Sequence, residues 1–303
     1  MHSQRTTVPR SSGGPVTPDP GLEAAYRACR RMQQRHDPTY FWATQRLPRD
    51  VRPAVHALYG FVRGADELVD GPGRPPAPED RRRALDRWQE ELRTGRERGR
   101  SRHPVIAALV DAGHRHQLPL DELSVYMDSM RVDCGPVRLH TREELDRYMR
   151  GSAGAVGLIM APLLGAPTEL HDSVARLGTA FQLTNFIRDV REDYELDRVY
   201  LPTADRDRFG VREEDIAASR MTPAFGALLA GEVARARELF AGTAALTDVL
   251  SPSVGPAMRL ARSVYELILD QVETRGFDVL ARTPRLSRRQ VARIALGSLA
   301  GTH

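Results

Sequence analysis

Two short acidic stretches, Asp66-Glu67-Leu68-Val69-Asp70 and Asp189-Val190-Arg191-Glu192-Asp193, set aspartates four residues apart inside sequence otherwise patterned as buried helix. A four-residue step returns a side chain to the same helical face. In the first stretch the polar stripe runs back through Arg63 and Tyr59, while Val55, Leu58, Phe61, Val62 and Leu68 cover the rest of the helix. In the second, Asn185 joins Asp189 and Asp193 at intervals of four, with Gln182 about a turn earlier and Arg188 alongside. Leu183, Phe186, Ile187 and Val190 make its apolar side. Charges drawn into a core are costly unless they are matched. Two carboxylate faces turned toward each other would form a cage of oxygen ligands for a hard cation such as Mg²⁺, whose shell is commonly completed by phosphate oxygens and water. The pattern therefore predicts two facing helices and chemistry on a diphosphate. Taken singly, the first stripe also reads as a solvated face on which Arg63 pairs with Asp66 and Glu67.

At 303 residues and 41% hydrophobic, the chain can bury a core as one domain or two closely fused ones. Apolar residues recur at helical spacing, as in Leu85, Trp88 and Leu92 or Leu123, Tyr126, Met127 and Met130, and no strand alternation stands out. Helix stops fall at Gly71-Pro72-Gly73, Gly135-Pro136, Gly165-Ala166-Pro167 and Leu201-Pro202. The expectation is an all-α domain of about ten helices over residues 21–303, starting near Leu22, after a leader over 1–20 rich in turn formers and disordered. Lysine is absent, so all 44 basic residues are arginine, interspersed with 40 acidic ones. That mixture gives no block for nucleic acid, which is not expected as a partner. The Glu79–Arg102 stretch reads as a solvated amphipathic helix, and His114-Arg115-His116 as a surface turn. Cys29 and Cys134 are too few for a disulfide framework and read as small buried residues. No secretory signal opens the chain, and the longest apolar run, Ala155 to Ala166, is too short to span a bilayer. The expectation is a cytoplasmic protein, with contact at a membrane surface where substrate or product is a lipid.

Longer segments carry a resemblance. Gln182 to Pro202 (QLTNFIRDVREDYELDRVYLP) and Tyr59 to Asp70 (YGFVRGADELVD) resemble the two acidic signatures of the squalene/phytoene synthase family. Thr39 to Tyr59 resembles that family's approach to the first signature, Tyr148 to Gly165 (YMRGSAGAVGLIMAPLLG) its small-residue helix, and Leu260 to Arg282 its C-terminal element. The wording at Asp66 to Pro72 is closest to the phytoene synthases. The resemblance implies an all-α isoprenoid-synthase (terpenoid synthase) bundle around a central cavity. It also implies a Mg²⁺-dependent prenyltransferase, with Mn²⁺ as a substitute, that joins two geranylgeranyl diphosphates head to head through a cyclopropyl intermediate. Carried onto this chain, Asp66, Asp70, Asn185, Asp189 and Asp193 would bind metal. Arg63, Arg188, Gln182, Arg198, Tyr265 and Arg275 would contact the diphosphate substrate, and Tyr59 and Tyr148 would lie near the reacting carbons. Gly151 to Gly157 would serve either close passage of a chain or helix, or a kink. NADPH is not expected; no G-x-G-x-x-G follows a strand, although this family does not bind nicotinamide through such a motif.

The chain departs from the phytoene synthase pattern at Arg191, where a glycine is expected, at Tyr194 to Asp197, where basic residues are expected, and at Cys134-Gly135-Pro136. Those changes bear on the second substrate and keep two further readings open: transfer of one prenyl group, farnesyl or similar, to an aromatic acceptor such as an indole in a cyclic dipeptide, and a squalene-type synthase. A non-catalytic lipid-binding scaffold is a third and is disfavoured by the intact ligand set.

Overall fold

The computed structural model describes residues 20–284. The expected leader, apart from Pro20, and the end of the expected domain, 285–303, lie outside the described residues. The first described helix opens on Pro20, two residues before Leu22.

Among the described residues fifteen α-helices follow in order: α1 (Pro20–His36), α2 (Pro38–Thr44), α3 (Arg52–Val69), α4 (Pro78–Arg98), α5 (Pro104–His116), α6 (Glu122–Val132), α7 (Arg142–Met149), α8 (Ala155–Leu163), α9 (His171–Arg188), α10 (Val190–Glu195), α11 (Thr203–Phe209), α12 (Glu213–Ala217), α13 (Pro223–Ala241), α14 (Leu246–Val249) and α15 (Gly255–Thr274). Ten of them have eight residues or more, which is the number the periodicity predicts; the other five are short turns that periodicity cannot register. Proline in the first turn opens α2, α3, α4, α5, α13 and α15, where its missing N–H has no helical partner to lose. Asp37, Thr141 and Thr222 cap α2, α7 and α13 by accepting from backbone N–H groups.

Two groups of helices build the bundle. The helices α1, α3 and α5 pack on one another, and α9 packs against α8 and α13, with α6 joining the two groups through α3 and α8. As expected, α4 lies over the surface with exposed pairs Arg82–Glu79 and Arg93–Glu90, while Leu85 is buried and Trp88 stacks on Phe61 at 5.5 Å. His114 and His116 sit in the last turn of α5, not in a separate turn. Both cysteines are buried and free. Two features escaped the sequence. One is a two-residue parallel bridge, β1 (Val137–Arg138) with β2 (Arg198–Val199), pairing Val137 with Arg198. The other is a π-helical turn, Arg150–Gly154, joining α7 to α8. No described helix is long and apolar enough to cross a membrane.

Both readings of the small-residue segment apply, since the π turn re-aims the helix and its glycines admit neighbours. A Cβ on Gly157 would lie 2.8 Å from Cα of Ala175 and 2.9 Å from the carbonyl oxygen of Val174 on α9. One on Gly178 would lie 2.9 Å from the carbonyl oxygen of Ala153. The backbones of α8 and α9 thus touch, and this contact places α9 against the cleft. Alanine favours helix over glycine by about 1 kcal/mol, so Gly157→Ala on an uncrowded helix would stabilise. Here the variant is expected to lose about 1–3 kcal/mol in urea unfolding, because backbone rather than a flexible side chain must yield.

Candidate active site

The two acidic stretches line one cleft of about 390 Å³. From α3 come Val62, Asp66, Val69 and Asp70; from α9 and α10 come Gln182, Asn185, Phe186, Arg188, Asp189 and Asp193. Two details differ from the sequence expectation. Asp70 is the C-terminal cap of α3 rather than an interior residue. The second stripe is not one helix, because α9 ends at Asp189 and α10 restarts from it. The i to i+4 backbone bonds nevertheless continue through the junction, Asp189 N to Asn185 O and Asp193 N to Asp189 O, both 2.8 Å. The stripe therefore survives the break.

Each carboxylate is compensated differently. Asp70 receives a two-pronged contact from Arg198, at 2.9 and 2.6 Å. Asp189 is paired with its neighbour Arg188, whose Nε donates at 2.6 Å. Asp66 accepts from the buried Tyr126 hydroxyl at 3.1 Å, but burial pushes its carboxyl up to about 6. Asp193 is pushed up to about 8 by burial and by the nearby Asp189 charge. The cleft thus holds more negative charge than its arginines neutralise.

On its wall lies a hub that sequence reasoning missed. Asp133, just past α6, accepts from Tyr148 at 2.6 Å and Tyr200 at 2.8 Å, and its backbone carbonyl accepts from Arg198 at 2.8 Å. Burial pushes the Asp133 carboxyl up to about 6. Burial, and the Asp133 charge after it, hold both tyrosines well above the usual phenol range, so their protons stay on. Phe186 stacks on Tyr200 at 4.0 Å and lies 5.9 Å from Tyr148, completing an aromatic wall. The Asp133 signal was within reach, since an aspartate ending the apolar α6 pattern faces a core, but its partners lie 15 and 67 residues along the chain.

Of the other residues named from the resemblance, Tyr148, Gln182 and Arg198 line the cleft. Tyr59, Arg63, Tyr265 and Arg275 do not. Arg63 pairs with Glu67, one of the two partners in the alternative reading of the first stripe, but not with Asp66, and its buried Nε has no acceptor. The Tyr59 hydroxyl is raised to about 12 by burial and by Asp37. Tyr265 stacks on Phe181 at 4.2 Å and lines a second, apolar cavity of about 100 Å³ with Val55, Met160 and Leu164. Because Phe181 directly precedes Gln182, α9 borders both spaces. Arg275 caps α15 and donates to the Arg282 carbonyl at 3.2 Å, away from both cavities.

Could the cleft hold a cation? Oδ1 of Asn185 is buried with no hydrogen-bond partner, an acceptor in a cleft lined by five carboxylates. Carboxylate and amide oxygens are what Mg²⁺ takes. Among the described residues no three acidic, histidine or cysteine side chains already converge to the spacing of a metal shell, and Arg198 and Arg188 pair with Asp70 and Asp189. By donor chemistry the residues fit.

Comparison with known proteins agrees with this architecture. The sequence profile of the squalene/phytoene synthase family matches residues 33–290. A phytoene synthase of Thermus thermophilus is 36% identical over 267 residues, covering 88% of this chain and 89% of its own. The crystal structure of a squalene synthase from Alicyclobacillus acidocaldarius superposes with a TM-score of 0.78 at 30% identity, over 84% of this chain and 95% of that one. A dehydrosqualene synthase at 23% identity shares the fold, with a TM-score of 0.82 over 92% and 96% of the two chains. The chain belongs to the squalene/phytoene synthase family, an all-α terpenoid-synthase fold whose members transfer prenyl groups.

The raised carboxyls set a pH dependence. With pKa values above the unfolded 3.8, Asp66 and Asp193 hold protons in the folded chain that the unfolded chain releases, so they disfavour folding increasingly as pH rises from about 4 to 8. In metal-free buffer, Asp193→Asn is expected to melt several degrees above the parent at pH 8 and to match it near pH 4. An equal offset at both pH values would contradict the assignment.

Proposed function

We propose that this prenyltransferase joins two molecules of geranylgeranyl diphosphate head to head to give phytoene, with Mg²⁺ and without a nicotinamide cofactor. The observation that carries the reading is the excess of carboxylate charge facing Arg188 and Arg198 across one cleft, next to a wall of aromatic rings and a separate apolar cavity. Phytoene synthases among the relatives support the product class.

The chemistry follows from those groups. Mg²⁺ held by Asp66, Asp70, Asn185, Asp189 and Asp193 would neutralise the leaving pyrophosphate as the allylic C–O bond breaks. Arg188 and Arg198 add fixed positive charge at the same place, where low dielectric makes it count most. The allylic cation must then be shielded from water. Phe186, Tyr148 and Tyr200 offer π faces to it, and both hydroxyl protons are committed to Asp133. Attack by the alkene of the second substrate, with loss of a proton, gives a cyclopropylcarbinyl diphosphate. Its ionisation, rearrangement and loss of one more proton give phytoene with no reductant; a squalene-type product would need hydride.

The departures behind the aromatic-acceptor reading lie outside the cleft lining. Arg191 donates to the Leu280 carbonyl at 3.2 Å, and Asp197 pairs with Arg138 at 2.8 Å. They leave the charge around the substrates to the residues already named.

Purified protein with geranylgeranyl diphosphate and Mg²⁺ is expected to yield a C40 hydrocarbon by mass spectrometry without NADPH. Turnover only with an added indole acceptor, or hydrolysis alone, would overturn the reading. Asp189→Asn should lower Mg²⁺-dependent pyrophosphate release by about 10³-fold or more while far-UV circular dichroism stays unchanged.

A further inference from the structure

The 23 residues from Arg30 to Arg52 carry six arginines against two aspartates. That excess of four equals the formal charge of the whole chain. On α4, Arg82, Arg83 and Arg93 pair with acids a turn away. Here, among the described residues, the side chains of Arg31, Arg35, Arg46 and Arg49 make no ion pair or hydrogen bond, and Arg30 lies over the Phe41 ring at 5.5 Å. Between the two basic flanks stands α2, packed on α1. It carries Trp42, at 68% exposure the most exposed large apolar side chain among the described residues, and Tyr40, at 50%. The same helix borders the apolar cavity through Tyr40, Ala43 and Thr44, with Ala257 and Met258 of α15 on its other rim.

We infer that the α1–α2 face docks on the surface of an anionic lipid bilayer. Indole is the side chain best suited to the boundary between headgroups and acyl chains, having an apolar body and one polar N–H. Unpaired arginines beside it are complementary to anionic headgroups, each adding roughly 1 kcal/mol near such a surface. An exposed aromatic between like charges is poorly placed for contact with another basic protein surface and well placed for lipid. The apolar cavity bordered by α2 would then abut the acyl region and let an apolar chain pass between the two. Only the passage of a hydrocarbon rests on the proposed reaction; the binding of lipid does not.

The full chain, without substrate, is sedimented with vesicles of phosphatidylcholine alone and of phosphatidylcholine mixed with phosphatidylglycerol. It is expected to pellet with the mixed vesicles, to pellet far less with the neutral ones, and to show a blue shift in tryptophan emission. Because Trp88 is stacked on Phe61, that shift reports Trp42. Trp42→Ala should abolish the shift and weaken partition about tenfold, Trp42→Phe should restore most of the binding, and R46E/R49E should weaken it at least as much as Trp42→Ala. Parent and variants must share a circular dichroism spectrum and melting temperature; a variant that unfolds is replaced by Trp42→Gln. Failure of the parent to pellet, or partition unchanged by these substitutions, overturns the inference. Vesicle binding without a C40 product would sink the reaction and leave the docking; product without vesicle binding would do the reverse.

Discussion

A single nearly buried guanidinium, that of Arg198, ties the site together. It holds Asp70 at the end of α3 and the Asp133 carbonyl at the end of α6, while β2 fixes its backbone against β1. Its position matters because a buried charge stripped of its partners costs several kcal/mol. Burial disfavours the cation, yet Asp70 and Asp133 outweigh that and keep it charged. The register that pairs Val137 with Arg198 also sets Tyr200, two residues on, within reach of Asp133. A two-residue bridge thereby decides where a charge, a phenol and a carboxylate meet.

Around that anchor, the cleft is arranged as a charge imbalance. Five carboxylates and an unpartnered amide oxygen share the cleft with two arginines, and burial first, then the neighbouring carboxylate charges, raises Asp66 and Asp193. Such a site has low stability in isolation and a strong demand for positive charge. Its aromatic wall and the adjacent apolar cavity supply the complementary requirement, a place where a reactive cation meets π faces rather than water. The close contacts of α9 with α8 at Gly157 and with the π turn at Gly178 hold these surfaces together.

Much of this was legible in the chain. Four-residue spacing placed Asp66 with Asp70, and Asn185 with Asp189 and Asp193, on common faces, and the ten longer helices follow from apolar periodicity. The break at Asp189 was hidden because the backbone bonds run on across it, leaving the spacing intact. The hub of Asp133, Tyr148 and Tyr200 was hidden for a different reason, since its members are joined only by the fold and no local pattern links them. The partners of Arg63 and Arg275 were not legible from the motifs: one pairs with its own helix neighbour and the other caps α15.

The most direct test is a crystal structure with Mn²⁺ and a thiodiphosphate analogue of the substrate, located by anomalous scattering. Metal peaks are expected between α3 and the α9–α10 junction, within coordination distance of Asp66, Asp70, Asn185, Asp189 or Asp193, with the diphosphate contacting Arg188 and Arg198. A diphosphate bound elsewhere, or metal peaks that leave both acidic stretches untouched, would contradict it.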